Sequence, residues 1–471
     1  TTNKKTIHRR FVIFYLKKRF SSILGNQRPK RRKFKMKKGL KFAGLAFLSV
    51  LARTGCTKGG DSSTLKVGLI CVGDETETYS KAHIDGIKAA AAKLGATVIY
   101  KNSVPEGTQV VDACTELKEA GAKLIFTNSY GHQDYACAFA KDNPDLTIVA
   151  DTGDYAAISG LSNFKNAFTN IYEARYVSGV VAGRKLKELN AAGKIEASSK
   201  DAAGNIKIGY VGAYNYAEVV SGYTAFYLGV KEGFEADNVV REVKYTNSWY
   251  DHDAENTAAK YLRSKGCVII GQHADSTGAP EAVEEEHNKG KEVYSVGYNI
   301  DRLSKAPTAA LTSSTNNWEK YYEYAIGQFK KGESIAVDWA KGYADDAVGI
   351  TTLGPKVAEG TKAKVDSLVA AIKAGTKHVF DTSKFTITGA NKDNFNNAGA
   401  TLDETGHVTK NRVDFSYKDW TQGGKVVYQG ETVDTVKKSG NVSYVEESVK
   451  RSAPYFALRV DGITETAVDA K

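Results

Sequence analysis

The sequence predicts an α/β protein built from two doubly wound lobes, each with its own parallel sheet and joined by a hinge. Short, nearly all-apolar segments alternate with longer segments of helical spacing from Leu65 onward, which is typical of strands buried on both faces by helices. A polar loop at residues 198–205 interrupts the alternation, and a second series of similar length follows it. Two consecutive series of this kind indicate two lobes.

The first series covers residues 65–170. Residues 65–72 form an apolar run, and residues 79–94 then carry apolar side chains on one helical face up to Gly95, a residue typical of a helix end. The alternation continues, with strands predicted at residues 97–100, 123–127 and 146–150 and helices at residues 110–121 and 135–140. We assign residues 65–170 to the first lobe.

The second series covers residues 171–300 and opens with a long helical stretch at residues 172–189. Strands are predicted at residues 206–211, 241–245, 267–272, 292–296 and 309–313, and helices at residues 217–234, 253–264, 281–289 and 318–331. We expect residues 302–340 to complete the first lobe. Residues 341–377 and 452–463 are expected to complete the second.

The composition changes after residue 377, where Asn, Gly, Thr and Asp become frequent. Short β-like runs at residues 384–387 and 425–428 favour a small β-rich insertion over residues 378–450, and a disordered insertion is the alternative. The apolar run at residues 455–460 is predicted to be a last core strand.

The charge of the chain is distributed unevenly. The 471 residues contain 65 Lys and Arg against 54 Asp and Glu, a formal net charge of +11. Residues 1–55 hold 17 of the basic residues and no acidic one, so residues 56–471 are mildly acidic, with 48 basic residues against 54 acidic ones. A basic leader on an acidic body is not the charge pattern of a DNA-binding protein, and we expect no nucleic-acid partner.

Residues 36–55 resemble a bacterial export signal. Lysines follow Met36, the only methionine, and an apolar run of about 13 residues follows them, which is too short to span a bilayer. Residues 1–35 are interpreted as a non-native upstream segment. The alternative is a genuine basic arm for nucleic acid or membrane.

The segment that ends at Cys56 resembles a lipobox, the site where a bacterial lipoprotein is cut and acylated on its new N-terminal cysteine. Gly55 fits that pattern, whereas Arg53 stands where an aliphatic residue is usual, so a secreted soluble form is the alternative. Residues 56–64 have the polar composition of a flexible tether. We therefore expect a lipid anchor at Cys56 and a location on the extracytoplasmic face of the cell membrane.

The sequence contains no motif that supports catalysis or metal binding. Asp151-Thr152-Gly153 resembles the active-site turn of aspartic proteases, but that chemistry needs two carboxylates and the chain has no second such turn. None of the Gly-Lys pairs is followed by Ser or Thr, which excludes a phosphate-binding P-loop. The remaining cysteines show no metal-ligand spacing and are interpreted as buried apolar residues: Cys71, Cys114, Cys137 and Cys267.

The loops that follow the predicted strands carry the candidate binding residues. Ligands of open parallel sheets bind beyond the carboxyl ends of the strands, so two facing lobes form a cleft lined by these loops. Tyr79, Tyr130 and Trp249 offer flat apolar faces, although each of them is alternatively a core or rim side chain. Polar groups for ligand edges and hydroxyls come from Asp134, Asp275, Asn299 and Asp301. The pattern indicates a planar, polar ligand.

Several motifs recur together in and beside these loops. Tyr79-Ser80 heads the first predicted helix, and the others are NSYGHQD at residues 128–134, RYVSGVVAGR at 175–184, SWYD at 248–251, QHADSTG at 272–278, a G-x-x-x-D stretch at 297–301 and NW at 317–318. In combination they resemble the basic membrane protein family, bacterial lipoproteins related to the purine nucleoside receptor that serves ABC transporters. The resemblance covers residues 65–352 and resumes at residues 452–463.

The resemblance implies a type I periplasmic-binding-protein fold, no catalysis, no cofactor and no metal. It implies the solute-binding lipoprotein of an ABC importer, whose partners are a small-molecule ligand, a transporter permease and the membrane that holds the anchor. The ligand is a purine nucleoside or nucleobase: Tyr79 and Trp249 would stack on the base, and Asp134 and Asp275 would bond its edge or the ribose. The ligand-binding residues implied are Tyr79, Ser80, Tyr130, Asp134, Trp249, Asp275, Asn299 and Asn316.

Two alternatives remain open at the level of sequence. A free base or another flat ligand fits as well as an intact nucleoside, because Asn316 stands where nucleoside receptors carry a lysine. A lipoprotein receptor that senses a different small molecule without any transport role is also compatible with the same lobes. A sugar-sensing transcriptional regulator would need a helix-turn-helix segment ahead of the first lobe, where residues 36–64 instead resemble a signal and a tether.

Overall fold

Two parallel-rich sheets organise the protein. The computed structural model describes residues 64–419 and 425–466, all of them within the unit Ser62–Lys471. The leader, Cys56 and the tether that the sequence predicts lie outside the described residues.

The first half of the fold alternates strand and helix, and it contains a strand at residues 164–169 that the sequence pattern did not predict. Its elements are β1 (Lys66–Ile70), α1 (Thr78–Leu94), β2 (Thr97–Lys101), α2 (Gln109–Glu119), β3 (Leu124–Thr127), α3 (Gln133–Asp142), β4 (Thr147–Asp151), α4 (Ala156–Ser159), β5 (Phe164–Thr169) and α5 (Ile171–Ala191). Helix α1 begins where the Glu77 carboxylate accepts the Tyr79 and Ser80 backbone N–H groups, at 2.6 and 2.7 Å. It ends at Gly95, whose φ of 61° lies in the left-handed region that favours glycine.

The second half repeats this pattern and then departs from it. Its elements are β6 (Ile206–Gly212), α6 (Ala217–Phe234), β7 (Val239–Tyr245), α7 (His252–Ser264), β8 (Ile269–Gln272), α8 (Gly278–Asn288), β9 (Tyr294–Tyr298), β10 (Ala310–Asn316), α9 (Trp318–Lys331), β11 (Asp338–Lys341), β12 (Val348–Ile350) and α10 (Thr361–Lys373).

Each lobe is centred on one sheet. The first sheet has the strand order β11-β5-β4-β3-β1-β2, and all of its pairs are parallel. The order of the second sheet is β12-β10-β9-β8-β6-β7 followed by β20 (Ile463–Thr466), and only β12 is antiparallel to its neighbour. The fold is the predicted α/β fold of two doubly wound lobes.

Strand pairing corrects one sequence assignment. Residues 302–340 were expected to complete the first lobe, but β10 pairs with β9 and β12 in the second sheet. Only α9 and β11 return to the first lobe, where β11 pairs with β5. The chain therefore crosses between the lobes after β5, after β10 and after β11.

These three crossings form the hinge and are bonded to one another. The Asn170 N–H donates to the Lys341 carbonyl at 2.7 Å, and the Asn317 N–H donates to the Ala347 carbonyl at 2.8 Å. The Thr169 hydroxyl donates to the Asn316 side-chain oxygen. Contacts of this kind let the three segments move as a group.

Residues 378–466, which we call the C-terminal extension, are β-rich. They contain α11 (Gly389–Lys392), β13 (Ala400–Leu402), β14 (Val408–Asp414), β15 (Tyr417–Asp419), β16 (Lys425–Tyr428), β17 (Thr432–Asp434), β18 (Val436–Ser439), β19 (Val442–Val445) and β20. Small antiparallel pairings join most of these strands. The extension shares the core of the second lobe, where Phe380 stacks on Phe456 at 4.1 Å.

Two predicted strands of the extension are wrong. Residues 455–460 form no strand. Most of their side chains are buried in the core of the second lobe, but their backbone pairs with no neighbouring strand. The last strand is β20 instead, which adds in parallel to the edge strand β7. Residues 384–387 likewise form no strand.

Candidate functional site

The loops that follow the strands of both sheets meet at one seam. Here Thr78 of the first lobe donates to the Asp275 carbonyl of the second. Arg302 Nη2 lies 3.1 Å from the Thr78 hydroxyl and 3.1 Å from the same carbonyl. The two lobes are therefore in direct contact, as expected of a closed state, and Arg302 is a seam residue that the sequence analysis did not identify.

Aromatic rings from both lobes meet at this seam. Tyr130 of the first lobe lies 6.0 Å from Tyr216 of the second, measured between ring centroids, and Tyr216 lies 5.9 Å from Trp249. Tyr214 completes the group at 5.0 Å from Trp249. The structure thus joins two predicted residues, Tyr130 and Trp249, through tyrosines that the sequence analysis passed over.

Tyr79 lies in a different part of the seam. Its hydroxyl donates to the Asn128 carbonyl, and its ring meets the edge of His83 at 4.7 Å. No ring contact among the described residues joins Tyr79 to Trp249. Their pairing on the two faces of one base stays a prediction.

Ser80 holds the first loop in shape. Its hydroxyl oxygen accepts the Gly73 N–H and the Asn128 side-chain N–H, both at 3.1 Å. The Asn128 oxygen in turn accepts the Val72 N–H at 2.9 Å. Ser80 is fully buried, and these bonds assign it a role in positioning Tyr79.

A series of buried hydrogen bonds connects the second lobe to the hinge. The Asn299 amide donates to the Asp275 carboxyl at 2.6 Å, and the Asn316 amide donates to the Asn299 oxygen at 3.2 Å. The Thr169 hydroxyl donates to the side-chain oxygen of Asn316. Three predicted residues, Asp275, Asn299 and Asn316, are therefore brought together and linked to the hinge.

Burial favours the neutral form of the Asp275 carboxyl. Burial, followed by the nearby carboxyl groups of Glu77 and Glu255, raises its pKa well above the usual value, against the opposing effect of Arg302. A neutral carboxyl can both accept and donate a hydrogen bond, so a polar ligand edge could add a bond to the one that Asn299 already makes.

Asp134, a predicted ligand contact, is engaged by the C-terminal extension. The Tyr417 hydroxyl donates to its carboxylate, and the Tyr417 ring stacks on Tyr155 with centroids 4.0 Å apart. Sequence reasoning could not find this contact, because the two partners lie 283 residues apart in the chain.

The second lobe contributes a charged cluster at the same end of its sheet. Arg175 donates to the Tyr210 hydroxyl at 2.6 Å and lies over the Tyr298 ring at 3.9 Å. His273 lies 2.6 Å from the Glu218 carboxylate. Among the described residues, Arg175 Nε and Nη2, Glu218 Oε1 and His273 Nδ1 are buried without a hydrogen-bond partner. A buried polar atom without a partner is rare, so these atoms mark a place where a ligand could bond.

A second buried cluster lies beside Tyr79. Tyr322 donates to the Asp151 carboxyl at 2.9 Å and lies 2.6 Å from His83 Nδ1. Burial raises the pKa of Asp151 well above its usual value and lowers that of His83 well below. Both shifts favour the neutral forms, and Asp151 faces a tyrosine rather than the second carboxylate that a protease would need.

Within residues 64–419 and 425–466, no group of three or more His, Cys, Asp or Glu residues could hold a metal ion. No helix there has both the length and the apolar character required to cross a membrane. Cavities of about 520 and 320 Å³ lie beside β20 and share Ile463 and Thr464, and neither is lined by a predicted site residue.

The two lobes, with the loops at the carboxyl ends of their strands meeting at one seam, have the type I periplasmic-binding-protein fold. Residues 65–379 match the family described as ABC transporter substrate-binding protein, PnrA-like. Because the match covers more than half of the chain, the protein belongs to this Bmp family, which confirms the resemblance inferred from the motifs.

Individual relatives agree with this membership. A purine-binding protein of Brucella abortus is 32% identical over 263 residues, which span 55% of this chain and 67% of that protein. A putative ABC transporter glucose-binding protein of Haloferax volcanii is 27% identical over 242 residues, 51% of this chain and 55% of that protein. The chain thus spans just over half of the second relative's length.

A solved structure has the same fold. The solute-binding protein of an ABC transporter system from Aeropyrum pernix superposes with a TM-score of 0.55 at 16% sequence identity, covering 66% of this chain and 92% of that chain.

Proposed function

We propose that this protein is the extracytoplasmic solute-binding component of an ABC importer and that it binds a purine nucleoside or nucleobase between its lobes. The observation that carries the proposal is the seam itself, where rings from both lobes lie beside a buried acid. Tyr130 and Tyr216 approach each other across the lobes, and Asp275 lies behind Trp249, with the Asp275 N–H bonded to the Trp249 carbonyl at 2.8 Å.

A purine suits this combination of groups. Stacking of an aromatic side chain on a base contributes about 1–3 kcal/mol and tolerates any base, because every base has a π-face. Selectivity then comes from edge groups, since a ligand without a matching polar edge adds no hydrogen bond to the buried Asp275 carboxyl beyond the one from Asn299. The purine-binding protein of Brucella abortus supports this choice of ligand class.

Binding would work by lobe closure without any bond being made or broken. A ligand that contacts both lobes stabilises the closed state by the contacts it makes only there. Asn299 and Asn316 connect the ligand-facing carboxyl of Asp275 to Thr169 in the hinge, so ligand contacts and hinge geometry are mechanically linked. The closed form would then present the solute to a permease.

Isothermal titration calorimetry tests the ligand class. The panel contains adenine, guanine, hypoxanthine, adenosine, guanosine, inosine and glucose, the last because a relative is a putative glucose-binding protein. We expect micromolar or tighter binding of at least one purine. Binding of glucose with no heat from any purine would overturn the proposal.

Two variants test whether the ligand binds at the seam. Asp275→Asn keeps the bond to Asn299 possible but replaces one carboxyl oxygen by an NH₂ group that can only donate, and we expect it to weaken purine binding at least about tenfold, the effect of about 1.4 kcal/mol. Asp253→Asn is the control, because that side chain is fully exposed. Equal affinities for the two variants would remove Asp275 from the site.

The lipid anchor at Cys56 is part of the same proposal. An importer component that diffuses away loses contact with its permease, and acylated cysteine followed by a polar tether would retain it at the membrane. Mass spectrometry of detergent-extracted protein is expected to show acylated Cys56. An unmodified soluble N-terminus would instead support the secreted form.

A further inference from the structure

We propose that the C-terminal extension carries a latch that fastens the two closed lobes to each other, so that the opening needed for solute exchange requires the latch to release. The latch consists of the loop of residues 448–455, called the latch loop, and of Tyr417. It goes beyond the proposed function, because it concerns lobe opening and not the identity of the solute.

The base of the latch loop is fixed to the second lobe by one carboxylate. Glu447 is 4% exposed and accepts the Ser221 hydroxyl of α6 at 3.0 Å. The same group accepts three backbone N–H groups, from Ser448 at 3.0 Å and from Tyr455 and Phe456 at 2.7 Å. Both ends of the latch loop are therefore bonded to the Glu447 carboxylate, which is itself bonded to α6 of the second lobe.

The tip of the latch loop is bonded to the first lobe. The Ser452 N–H and hydroxyl both donate to the Asp338 carboxylate at 2.8 Å, and Asp338 is the first residue of the edge strand β11. Next to it, Arg451 forms an ion pair with Asp154 at 3.3 Å. Four residues of chain thus separate contacts with opposite lobes.

Tyr417 provides a second fastening on the first lobe. Its side chain is 5% exposed between Asp134, which accepts its hydroxyl, and the stacked ring of Tyr155. Both partners follow strands β3 and β4, at the end of the first lobe that forms the seam. The Tyr417 hydroxyl is therefore hydrogen-bonded to the Asp134 carboxylate, a polar group beside the candidate ligand site.

Rotation about the hinge would strain all of these contacts together. Asp134, Asp154 and Asp338 move with the first lobe, whereas Glu447 keeps the latch loop with the second. A hydrogen bond weakens once its heavy atoms separate beyond about 3.2 Å, so even a small opening breaks the fastening. Tyr417 and the latch loop both lie outside residues 65–379, the range that matches the family.

Double electron–electron resonance (DEER) distance measurements on the ligand-free full chain test the latch. Spin labels are attached through Lys88→Cys on α1 and Thr257→Cys on α7, both exposed, in a Cys56→Ser background. The remaining cysteines stay unlabelled because they are buried and burial raises the pKa of their thiols. Helices α1 and α7 lie on the side where Thr78 meets Asp275, so opening lengthens the measured distance.

The double variant Arg451→Ala, Ser452→Ala is expected to increase the fraction of long distances several-fold. The matched control Lys450→Ala, an exposed neighbour in the same loop, should match the parent chain. A distance distribution that stays the same in the double variant would overturn the latch.

Tyr417→Phe supplies an independent variant. It removes one oxygen atom and keeps the stacked ring, so folding is preserved even if the double variant loses its circular dichroism signal. We expect a smaller shift in the same direction, and an unchanged distribution counts against the latch. Because no ligand is added, these outcomes are separate from failure of the purine proposal.

Discussion

At the residue scale, the electrostatics of the second lobe are set by burial. Burial, followed by the Arg175 guanidinium, lowers the pKa of His273, so its ring is neutral at physiological pH. Burial would raise the pKa of Glu218, but His273 and Arg175 together bring it below its usual value. The cluster therefore presents one anion and one cation with free hydrogen-bonding atoms, which suits a polar ligand edge.

Trp249 is the residue whose removal best tests the stacking role. Trp249→Ala should weaken purine binding by about 1–3 kcal/mol, the contribution of one stacked base, because only a ring supplies this contact. Calorimetry on the purine identified by the panel measures the change, and thermal unfolding checks that the fold remains.

Phe395→Ala is the matched control, since that ring is 89% exposed in the C-terminal extension. We expect it to bind like the parent chain. An affinity of Trp249→Ala equal to that of this control would take Trp249 out of the site.

At the element scale, two helices of the second lobe pack backbone against backbone. Gly179 and Gly183 of α5 face Gly229 and Gly233 of α6, and each pair has the spacing G-x-x-x-G. A Cβ at Gly183 would overlap the Val230 carbonyl, and one at Gly229 would overlap the Tyr176 carbonyl. The close approach fixes α5, the helix that leads out of the hinge and carries Arg175.

This packing predicts opposite effects for two Gly→Ala changes in helices. Gly183→Ala should destabilise the fold by about 1–3 kcal/mol, the usual range for overpacking, because a carbonyl oxygen of a packed helix has no room to shift. Gly327→Ala should stabilise it by up to about 1 kcal/mol, because nothing lies within 4 Å of the added methyl group and alanine favours helix.

Denaturant unfolding compares the two variants. Similar unfolding free energies for Gly183→Ala and Gly327→Ala would show that the backbones of α5 and α6 are not packed as closely as described.

At the scale of the whole molecule, the hinge is tied to helix α5 by an ionisable group. The Glu173 carboxylate of α5 accepts the Tyr343 N–H at 2.7 Å, and Tyr343 belongs to the third crossing between the lobes. Burial raises the pKa of Glu173 from 4.5 to about 7. Deprotonation near neutral pH therefore places a charge inside the hinge.

This shift predicts a pH-dependent stability. A carboxyl whose folded pKa exceeds its unfolded value contributes most below about pH 4.5, and that contribution is lost as the pH rises through about 7. Glu173→Gln keeps an oxygen acceptor but has no charge, so it should be more stable than the parent chain at pH 8, by on the order of 2 kcal/mol. The difference should vanish towards pH 4.5.

Thermal unfolding between pH 4.5 and 8 measures this effect. Glu75→Gln, in an exposed loop, is the control and should follow the parent profile. A constant difference between Glu173→Gln and the parent chain across the range would contradict a titration of Glu173.

The meeting of some predicted residues at the seam could be expected from their position in the loops. Asp275 and Asn299 follow neighbouring parallel strands, so their meeting at one sheet edge follows from the strand order of the fold. Tyr216 and Arg302 were missed because each stands in a loop segment without a distinctive motif. Arg175 was missed although it heads the RYVSGVVAGR motif, because nothing in the local sequence shows that its side chain reaches Tyr210 and Tyr298. Strand β10 was assigned to the wrong lobe because strand pairing depends on contacts between distant parts of the chain, and a local sequence pattern does not reveal them.

The amino-acid sequence by itself determined the alternation of strands and helices, the two lobes and the family, because hydrophobic period and short motifs are local properties of a chain. Only the tertiary structure decided which strands pair, how the rings of Tyr130, Tyr216 and Trp249 gather, and where Tyr417 and the latch loop attach. Those contacts join residues far apart in sequence, and their geometry is set by the packing of the whole core rather than by any one segment.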